Sequence, residues 1–390
     1  MIAAVSRVII ATAVLAAIAT AQSPYLILPG GARFFPIGLY GFPQNRGDDE
    51  IYREARGAGF NFLVGREARF GFLRSFDLPE GPPDPDAASR RGSLLDLTYN
   101  AARKRELLAD IVAANETAPG VTLWQGPDEP NYFPFGTRAG PSSAGLREGA
   151  AFLRSRSGHP LWINFSPTGD HQRPADLSSL APYLAVPDVV SIDIYPVGGG
   201  ADLQESPFAD RGMSSVGAFA RNLVEMVSVN GIQQKPVWMV LQAFGWQALG
   251  AASNPPEKWN GRPPSFDEIR FMSFDAVING ATGIVYWGAP YLAKGDATWD
   301  SLKKVAAELQ ALNDALTGDI LPADHFVHVA NRNVETAVRR AGDQIYLLMA
   351  NASPLAVENA PVEIRRPRRQ TLRVSLAPYA VRVEKFTSAP

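Results

Sequence analysis

The chain has 390 residues, of which 46% are hydrophobic and 19% are charged, a balance that supports a large folded core. Its 37 basic and 39 acidic side chains give a net charge of −2, which offers no cationic surface for nucleic acid. The sequence contains no cysteine, which excludes a disulfide scaffold, a cysteine-based zinc site, an iron–sulfur cluster and a thiol nucleophile.

Residues 1–21 have the pattern of a secretory signal peptide. Arg7 supplies a positive charge, residues 8–18 are apolar, and Ala19 and Ala21 place small side chains where signal peptidase requires them. A transmembrane anchor is the alternative, but the apolar stretch is shorter than the ~20 residues that a spanning helix needs. The sequence therefore predicts export, and export without cysteine predicts a bacterial secreted or periplasmic protein with no membrane contact after cleavage.

From residue 22 onward, short apolar strands alternate with helical segments. Strands are predicted at 34–39, 61–64, 121–124, 161–165, 189–195, 237–241 and 283–287. Helices are predicted at 48–58, 94–114, 143–154, 214–230, 265–279 and 299–316. Ser265 and Glu268 form a capping box at the start of one of these helices. An eighth strand is expected between 65 and 93, where 70–76 is a weak candidate.

Eight β/α units in a segment of about 300 residues match the size of a TIM (β/α)8 barrel, predicted here over 22–318. A doubly wound sheet is the alternative, but no Gly-x-Gly-x-x-Gly turn follows a strand, so nothing indicates dinucleotide binding. From 321 to 388 the sequence is rich in β-strand patterns, which lie at 327–340, 344–351, 362–365 and 372–385. This region predicts a small antiparallel β domain that resembles a sandwich.

The exit of the predicted fourth strand carries the strongest candidate site. Function in a TIM barrel lies where the strands end, and here Asp128 and Glu129 stand between Pro127 and Pro130, just after Trp124. A carboxyl held beside prolines and aromatic rings is partly desolvated, which raises its pKa and suits it to act as a general acid. The two prolines also predict a bend that lets both carboxylates reach one ligand. A solvated acidic loop is the alternative.

Later strands add further candidates. Asp193 lies inside an apolar strand, where a carboxylate is costly to bury unless it is hydrogen-bonded for structure or used in catalysis, and both interpretations stay open. The loop 251–264 is either a cover for the cleft or an ordinary connection. Candidate residues for hydrogen bonding to a ligand or for stacking on it are Tyr40, Asn164, Tyr195, Gln242, Trp246 and Trp287.

Several other chemistries lack support. The four histidines are scattered and have no metal-ligand spacing, and the sequence has neither a Gly-x-Ser-x-Gly elbow nor a phosphate-binding loop. No metal and no cofactor are therefore predicted. Carboxylates in an aromatic-lined cleft remain, and these are the groups that glycoside hydrolysis uses.

The sequence resembles the large clan of (β/α)8 glycoside hydrolases whose acid/base glutamate ends strand four. The resemblance covers about residues 23–318 and is carried by 35–40 (FPIGLY), 124–130 (WQGPDEP) and 280–287 (GATGIVYW). It implies that Glu129 is the acid/base and that Asp128 stands where the clan has an asparagine. At the end of strand seven the clan has a nucleophilic glutamate, whereas this chain has Gln242, which cannot form a glycosyl ester.

Three interpretations of that departure stay open. Asp128 and Glu129 resemble the adjacent pair of some hexosaminidase families, in which the aspartate orients a 2-acetamido group of the substrate as the nucleophile. Alternatively, Asp193 is the partner carboxylate, and its separation from Glu129 then indicates retention at about 5 Å or inversion at about 6.5–9.5 Å. In the third interpretation the barrel binds carbohydrate without cleaving it. The sequence thus predicts a secreted glycosidase that acts on O-glycosidic bonds in a poly- or oligosaccharide, with a catalytically silent carbohydrate-binding barrel as the alternative.

Overall fold

The computed structural model describes residues 23–65, 67–82, 92–132, 140–167, 177–198, 212–249, 261–293 and 295–387. The predicted signal peptide at 1–21 lies outside the described residues, as does most of the loop 251–264. Eight parallel strands close into a barrel in chain order, the last pairing with the first. They are β1 (Ile37–Leu39), β2 (Phe62–Leu63), β3 (Leu73–Asp77), β4 (Val121–Gln125), β5 (Leu161–Phe165), β6 (Val189–Ile194), β7 (Val237–Gln242) and β8 (Gly283–Trp287). The predicted TIM barrel is confirmed.

The strand that the sequence indicated only weakly is β3. The candidate at 70–76 overlaps it, but Phe70 has a left-handed φ of 52° and Gly71 a φ of 76°, so these residues form a turn and the strand begins after them. Asp77, the last residue of β3, lies in register with Gln125 at the end of β4. The strand therefore brings a carboxylate to the C-terminal face of the barrel.

Helices surround the barrel and follow most of its strands. They are α1 (Asp49–Gly57), α2 (Ala101–Asn115), α3 (Ser143–Arg154), α4 (Ser215–Met226), α5 (Phe266–Ile278) and α6 (Ala297–Ala311), followed by the short α7 (Asn313–Leu316), so the predicted helix 299–316 is divided. The predicted capping box of α5 is confirmed, because Ser265 and Glu268 each bond to the other's backbone N–H. Among the described residues no helix separates β2 from β3.

Two predicted helices are shorter than expected. The segment 94–114 becomes helical only at Ala101, because the buried Asp96 holds the preceding residues in turns by accepting hydrogen bonds from the backbone N–H groups of Thr98 (3.1 Å) and Ser142 (2.8 Å). In the segment 214–230 the helix α4 ends at Met226, and the chain then forms a two-stranded hairpin instead of a last helical turn. In the first case buried Leu94, Leu95 and Leu97 occur at spacings that also suit a helix.

Aromatic rings fill the interior of the barrel beneath its C-terminal mouth. Phe62, Trp162 and Trp238 are fully buried, and their ring centroids lie 5.3 to 6.2 Å apart in tilted and edge-to-face contacts. The indole of Trp162 donates a hydrogen bond of 2.8 Å to the hydroxyl of Ser191 on β6. Because each such ring buries about 150–250 Å² of surface, these three contribute strongly to stability and form a rigid floor under the mouth.

The C-terminal region forms two antiparallel sheets. The four-stranded sheet has the order β9 (Asp319–Leu321), β11 (Val334–Ala341), β12 (Gln344–Asn351) and β15 (Val381–Thr387). The three-stranded sheet has the order β10 (Val327–Val329), β13 (Val357–Ile364) and β14 (Gln370–Leu376). The predicted strands 327–340 and 372–385 each divide between the two sheets, because turns interrupt them. The predicted small β domain is confirmed as a fold.

The four-stranded sheet packs against α5 of the barrel. Buried Arg339 donates to the carbonyl of Val277 at 3.0 Å, and Arg270 bonds to both carboxylate oxygens of Glu308 at 2.7 Å and to the carbonyl of Val381 at 2.9 Å. Burial lowers the pKa of Arg339, the cost expected for a guanidinium held away from water. None of the helices in the described ranges is both long enough and apolar enough to cross a membrane.

Candidate active site

The exit of β4 bends sharply, as the flanking prolines predicted. Glu129 adopts a left-handed φ of 46°, a conformation that costs a non-glycine residue about 1 kcal/mol. Its backbone N–H donates to the carbonyl of Asn164 at 2.9 Å. The buried amide of Asn131 also bonds to both backbone groups of Ser166, at 2.9 and 3.1 Å. These contacts with β5 and its exit hold the bend, which leaves Asp128 exposed and Glu129 partly exposed at the mouth.

One buried amide joins carboxylates from two strands. The Nδ2 group of Asn164 donates to Asp128 at 3.1 Å and to Asp193 at 3.3 Å, and its Oδ1 accepts from the Ser191 hydroxyl at 2.8 Å. The two N–H bonds of an amide diverge by about 120°, which sets the two acceptor oxygens about 5–6 Å apart. Asn164, predicted as a ligand contact, therefore acts in this structure as the group that spaces Asp128 and Asp193.

Asp193 lies in a setting that favours its neutral form. Its side chain is 7% exposed, and its pKa is raised well above the usual range by burial first, then by the charges of Glu129 and Asp128. The hydrogen bond from Asn164 opposes this rise and is outweighed. The structure thus brings the three predicted catalytic carboxylates into one electrostatically linked group.

The variant Asp193→Asn is expected to be more stable than the wild type at pH 8, with the difference vanishing near pH 4. The folded-state pKa of Asp193 lies above its unfolded value, so its contribution to stability is complete below the unfolded pKa and is lost as the pH rises through the folded pKa. An asparagine removes that loss and keeps an acceptor for Asn164. Urea unfolding at pH 4, 6 and 8 measures the difference in free energy of unfolding between the variant and the wild type. A difference that is the same at every pH would contradict the burial of a titrating carboxyl.

Two tyrosines stand among these carboxylates. The Tyr40 hydroxyl is buried and has no hydrogen-bond partner among the described residues, and burial together with the charges of Asp128 and Asp193 raises its pKa well above the usual range. Burial and the charge of Asp193 do the same to Tyr195. Both phenols therefore keep their protons and can act as hydrogen-bond donors toward a ligand or a developing negative charge.

Aromatic rings line the β6 to β8 side of the mouth. Tyr195 stacks on Trp287 with ring centroids 5.5 Å apart and an interplanar angle of 24°. Phe244 packs edge-on against Tyr195, Trp246 and Trp287, with centroids 5.0 to 5.2 Å away. Trp246 and Trp287 are partly exposed, so the predicted stacking residues form one connected aromatic wall.

The side-chain amide of Gln242 forms its hydrogen bonds with backbone groups. It is fully buried, its Oε1 accepts from the N–H of Val197 at 2.8 Å, and its Nε2 donates to the carbonyls of Val197 at 2.7 Å and Phe244 at 2.9 Å. Both amide hydrogens are therefore used to hold the β6 loop against the end of β7. The ligand-lining role of Gln242 stays a prediction; in the structure its polar atoms bond to backbone groups of Val197 and Phe244.

Asp77 at the end of β3 is the acidic residue of the mouth that the sequence analysis missed. It borders a cavity of about 210 Å³ together with Asp128, Glu129 and Tyr132, and it also borders one of about 520 Å³ together with Tyr40. Asp77 is exposed at the opening, and partial loss of water around its carboxylate, opposed by a hydrogen bond from Ser75, raises its pKa to about 6. The rule that barrel strands end in functional residues could have found Asp77 had β3 been recognised.

The described part of the chain contains no group of three or more histidine, aspartate or glutamate side chains arranged to hold a metal ion. The acidic side chains of the mouth are instead spaced around an opening, with tyrosine hydroxyls and one amide between them. Such an arrangement can donate a proton at one point, accept one at another and stack a flat apolar surface, which are the operations of acid–base chemistry on a sugar.

Comparison with known proteins identifies the fold. No family model and no curated protein matches the sequence. Among solved structures, the chain is similar to a glycoside hydrolase family 5 from Bacteroides vulgatus, with 13% identity, 93% coverage of each chain and a TM-score of 0.55. It is also similar to a cold-adapted β-galactosidase from Rahnella sp. R3, with 10% identity, coverage of 94% of this chain and 99% of that chain, and a TM-score of 0.56. A GH42 β-galactosidase from G. stearothermophilus gives 10% identity, the same two coverages and a TM-score of 0.54. At these identities the comparisons show a shared fold, and the three solved structures named here are a glycoside hydrolase and two β-galactosidases.

Proposed function

We propose that this protein is a glycosidase that cleaves O-glycosidic bonds in a poly- or oligosaccharide. The observation that supports this most strongly is the electrostatically linked group of Asp193, Glu129 and Asp128 at the C-terminal mouth of a barrel, in which the pKa of Asp193 is raised. Neighbouring carboxyls that differ in burial can act as an acid and a base, which hydrolysis of an acetal requires. The aromatic wall of Tyr195 and Trp287 offers a stacking surface for the sugar.

Glu129 is the proposed proton donor to the leaving oxygen. It is partly exposed at the opening, whereas Asp193 is nearly buried, so of the two it is the better placed to reach a substrate. The cost of its left-handed backbone supports a functional role, because strained residues persist where their position matters. In this proposal Asp193 keeps the proton within the group, and Glu129 delivers it.

The partner of Glu129 is either Asp193 or a substrate acetamido group oriented by Asp128. The raised pKa of Asp193 makes it a weak nucleophile at neutral pH, because attack needs the ionised form. Asp128 is exposed to the cleft and held in place by Asn164, the arrangement that orientation of an acetamido N–H would need. These observations argue against direct attack by Asp193 and make the acetamido group the nucleophile where the substrate carries one. Export of the chain, also proposed, rests on the pattern of residues 1–21 alone.

The test is release of reducing sugar from a panel of soluble polysaccharides and N-acetylated glycans by the wild type and by Glu129→Gln. We expect activity in the wild type and its loss in the variant. A requirement for the acetamido group would support substrate assistance. If neither protein releases sugar from a glycan that both bind, the glycosidase proposal is overturned.

A catalytically silent carbohydrate-binding barrel is the second candidate. The observation in its favour is Gln242, which occupies the end of β7 and is used entirely for backbone hydrogen bonds. In that case Glu129→Gln keeps the glycan affinity of the wild type, and neither protein turns the glycan over. Titration calorimetry run beside the sugar-release assay separates the two candidates.

A further inference from the structure

A carboxylate on β3 lies outside the group of Asp128, Glu129 and Asp193 and borders the same opening. Asp77 lies in register with Gln125, so it reaches the mouth at the level where β4 begins its bend toward Asp128. It borders both the 210 Å³ cavity beside Glu129 and the 520 Å³ cavity beside Tyr40. A ligand that extends from one cavity to the other must therefore pass over this side chain.

Two neighbouring residues, Gly65 and Ser75, help to position the carboxylate of Asp77 at the opening. A Cβ on Gly65 would meet the Oδ2 of Asp77 at 2.2 Å, so the absence of a side chain at the end of β2 makes room for it. Ser75 donates to its Oδ1 at 3.3 Å, and this hydroxyl also lies 3.0 Å from Gln125 Oε1 and accepts from the Gly65 N–H. One shared hydroxyl is the only hydrogen-bond donor that the described residues offer Asp77, which leaves the carboxylate able to bind water or substrate.

The surroundings of Asp77 make it more basic than an ordinary carboxylate while it stays exposed at the opening. Its pKa of about 6 is raised by partial loss of water around the carboxylate, lowered by the hydrogen bond from Ser75, raised by Asp128 and lowered by Arg74. Arg74 is turned toward the carbonyl of Pro119 and forms no ion pair with Asp77. Asp77 thus differs from Asp193, which is buried and whose pKa is raised well above the usual range.

We propose that Asp77 is the general base of the reaction, which takes a proton from the water that attacks the anomeric carbon. This inference rests on the proposed glycosidase function and concerns a substrate without a 2-acetamido group, for which water is the nucleophile. Glu129 gives its proton to the glycosidic oxygen, and the C1–O bond breaks with its electron pair going to that oxygen. The oxygen of water bonds to C1, and the released proton passes to the carboxylate of Asp77. Exchange with solvent then restores a neutral Glu129 and an ionised Asp77. The product has the inverted anomeric configuration.

Asp77→Asn is expected to lower kcat about 10²–10⁴-fold with an unchanged KM, because it removes the base and leaves the shape of the site intact. The wild type should lose kcat/KM below pH 6, where the base becomes protonated, and this acidic limb should be absent from the residual activity of the variant. Ser75→Ala should move the limb to higher pH, because the hydroxyl stabilises the ionised form. Asp110→Asn, an exposed change on α2, is the control for loss of one negative charge and should leave the profile unchanged.

The anomeric form of the first product, followed by proton NMR, completes the test. Inversion together with the loss in Asp77→Asn supports the proposal. Retention, or an Asp77→Asn enzyme within tenfold of the wild type, overturns it. In either of those outcomes a wild type that needs Glu129 for turnover remains a glycosidase, so the failure of Asp77 as the base is distinguishable from failure of the proposed function.

Discussion

Glu129→Gln is expected to lower kcat about 10²–10⁴-fold on substrates with a poor leaving group, because the variant cannot protonate the departing oxygen. The loss should be much smaller for an aryl glycoside whose phenol is acidic, since that leaving group departs without a proton. The side chain remains a hydrogen-bonding amide of the same size, so KM should change little. Steady-state kinetics on an alkyl and a dinitrophenyl glycoside of the preferred sugar measure the difference.

The fold of this variant should be unaffected, and this gives the control. Glutamine accepts the left-handed φ of 46° about as well as glutamate does, and the backbone N–H of residue 129 still reaches the carbonyl of Asn164. Its free energy of unfolding should therefore match that of the wild type. An equal loss of activity on both glycosides would argue against proton donation by Glu129, and an intact rate on both would remove it from the reaction.

The strand ends that could be predicted from sequence are those where the local pattern is strong. β4 and β6 are apolar and bounded by prolines, so Asp128, Glu129 and Asp193 could be assigned to the mouth from alternation alone. β3 has the sequence LRSFD and is only partly buried, so its pattern resembles a loop. Asp77 was missed for that reason, because a strand that gains its place mainly by pairing with β2 and β4 leaves little hydrophobic signal.

The roles of the amide residues depended on contacts that no sequence pattern carries. Asn164 and Gln242 both lie on inward-facing positions, as alternation predicts. Whether such an amide meets a ligand or the protein depends on what approaches it from another strand. For Asn164 this is a pair of carboxylates, and for Gln242 it is the backbone of Val197, forty-five residues earlier in the chain. A prediction made one residue at a time has no access to these partners.

The aromatic floor connects the fold to the chemistry of the mouth. Trp162 packs against Trp238 and donates to Ser191, which in turn donates to Asn164, so the amide between the carboxylates is anchored to the most rigid part of the barrel. A group fixed in this way keeps its dipole aimed at the carboxylates without reorganisation during a reaction. The position of Asn164 between Asp128 and Asp193 is thus fixed by packing several residues away as well as by its own hydrogen bonds.

Gln242→Glu, which restores the residue type expected at the end of strand seven, should destabilise the protein and create no nucleophile. The two amide hydrogens of Gln242 now satisfy the carbonyls of Val197 and Phe244, and a carboxylate there would place a buried negative charge against both oxygens. We expect the free energy of unfolding to fall by about 3–5 kcal/mol at pH 8. The variant Gln242→Met, which loses the hydrogen bonds without adding charge, should lose only about 1–3 kcal/mol.

The pH dependence separates the charge from the lost hydrogen bonds. The introduced carboxyl would have a folded-state pKa above its unfolded value, so its penalty is small below the unfolded pKa and grows as the pH rises toward the folded pKa. Near pH 4 a neutral carboxylic acid can still accept from the Val197 N–H and donate to one carbonyl, so Gln242→Glu should approach the stability of the wild type there and fall below Gln242→Met at pH 8. Urea unfolding of both variants at the two pH values measures this. A Gln242→Glu protein that is as stable as the wild type at pH 8, or one that gains turnover, would show that the end of β7 opens to the substrate and that the nucleophile of the clan can be accommodated in this barrel.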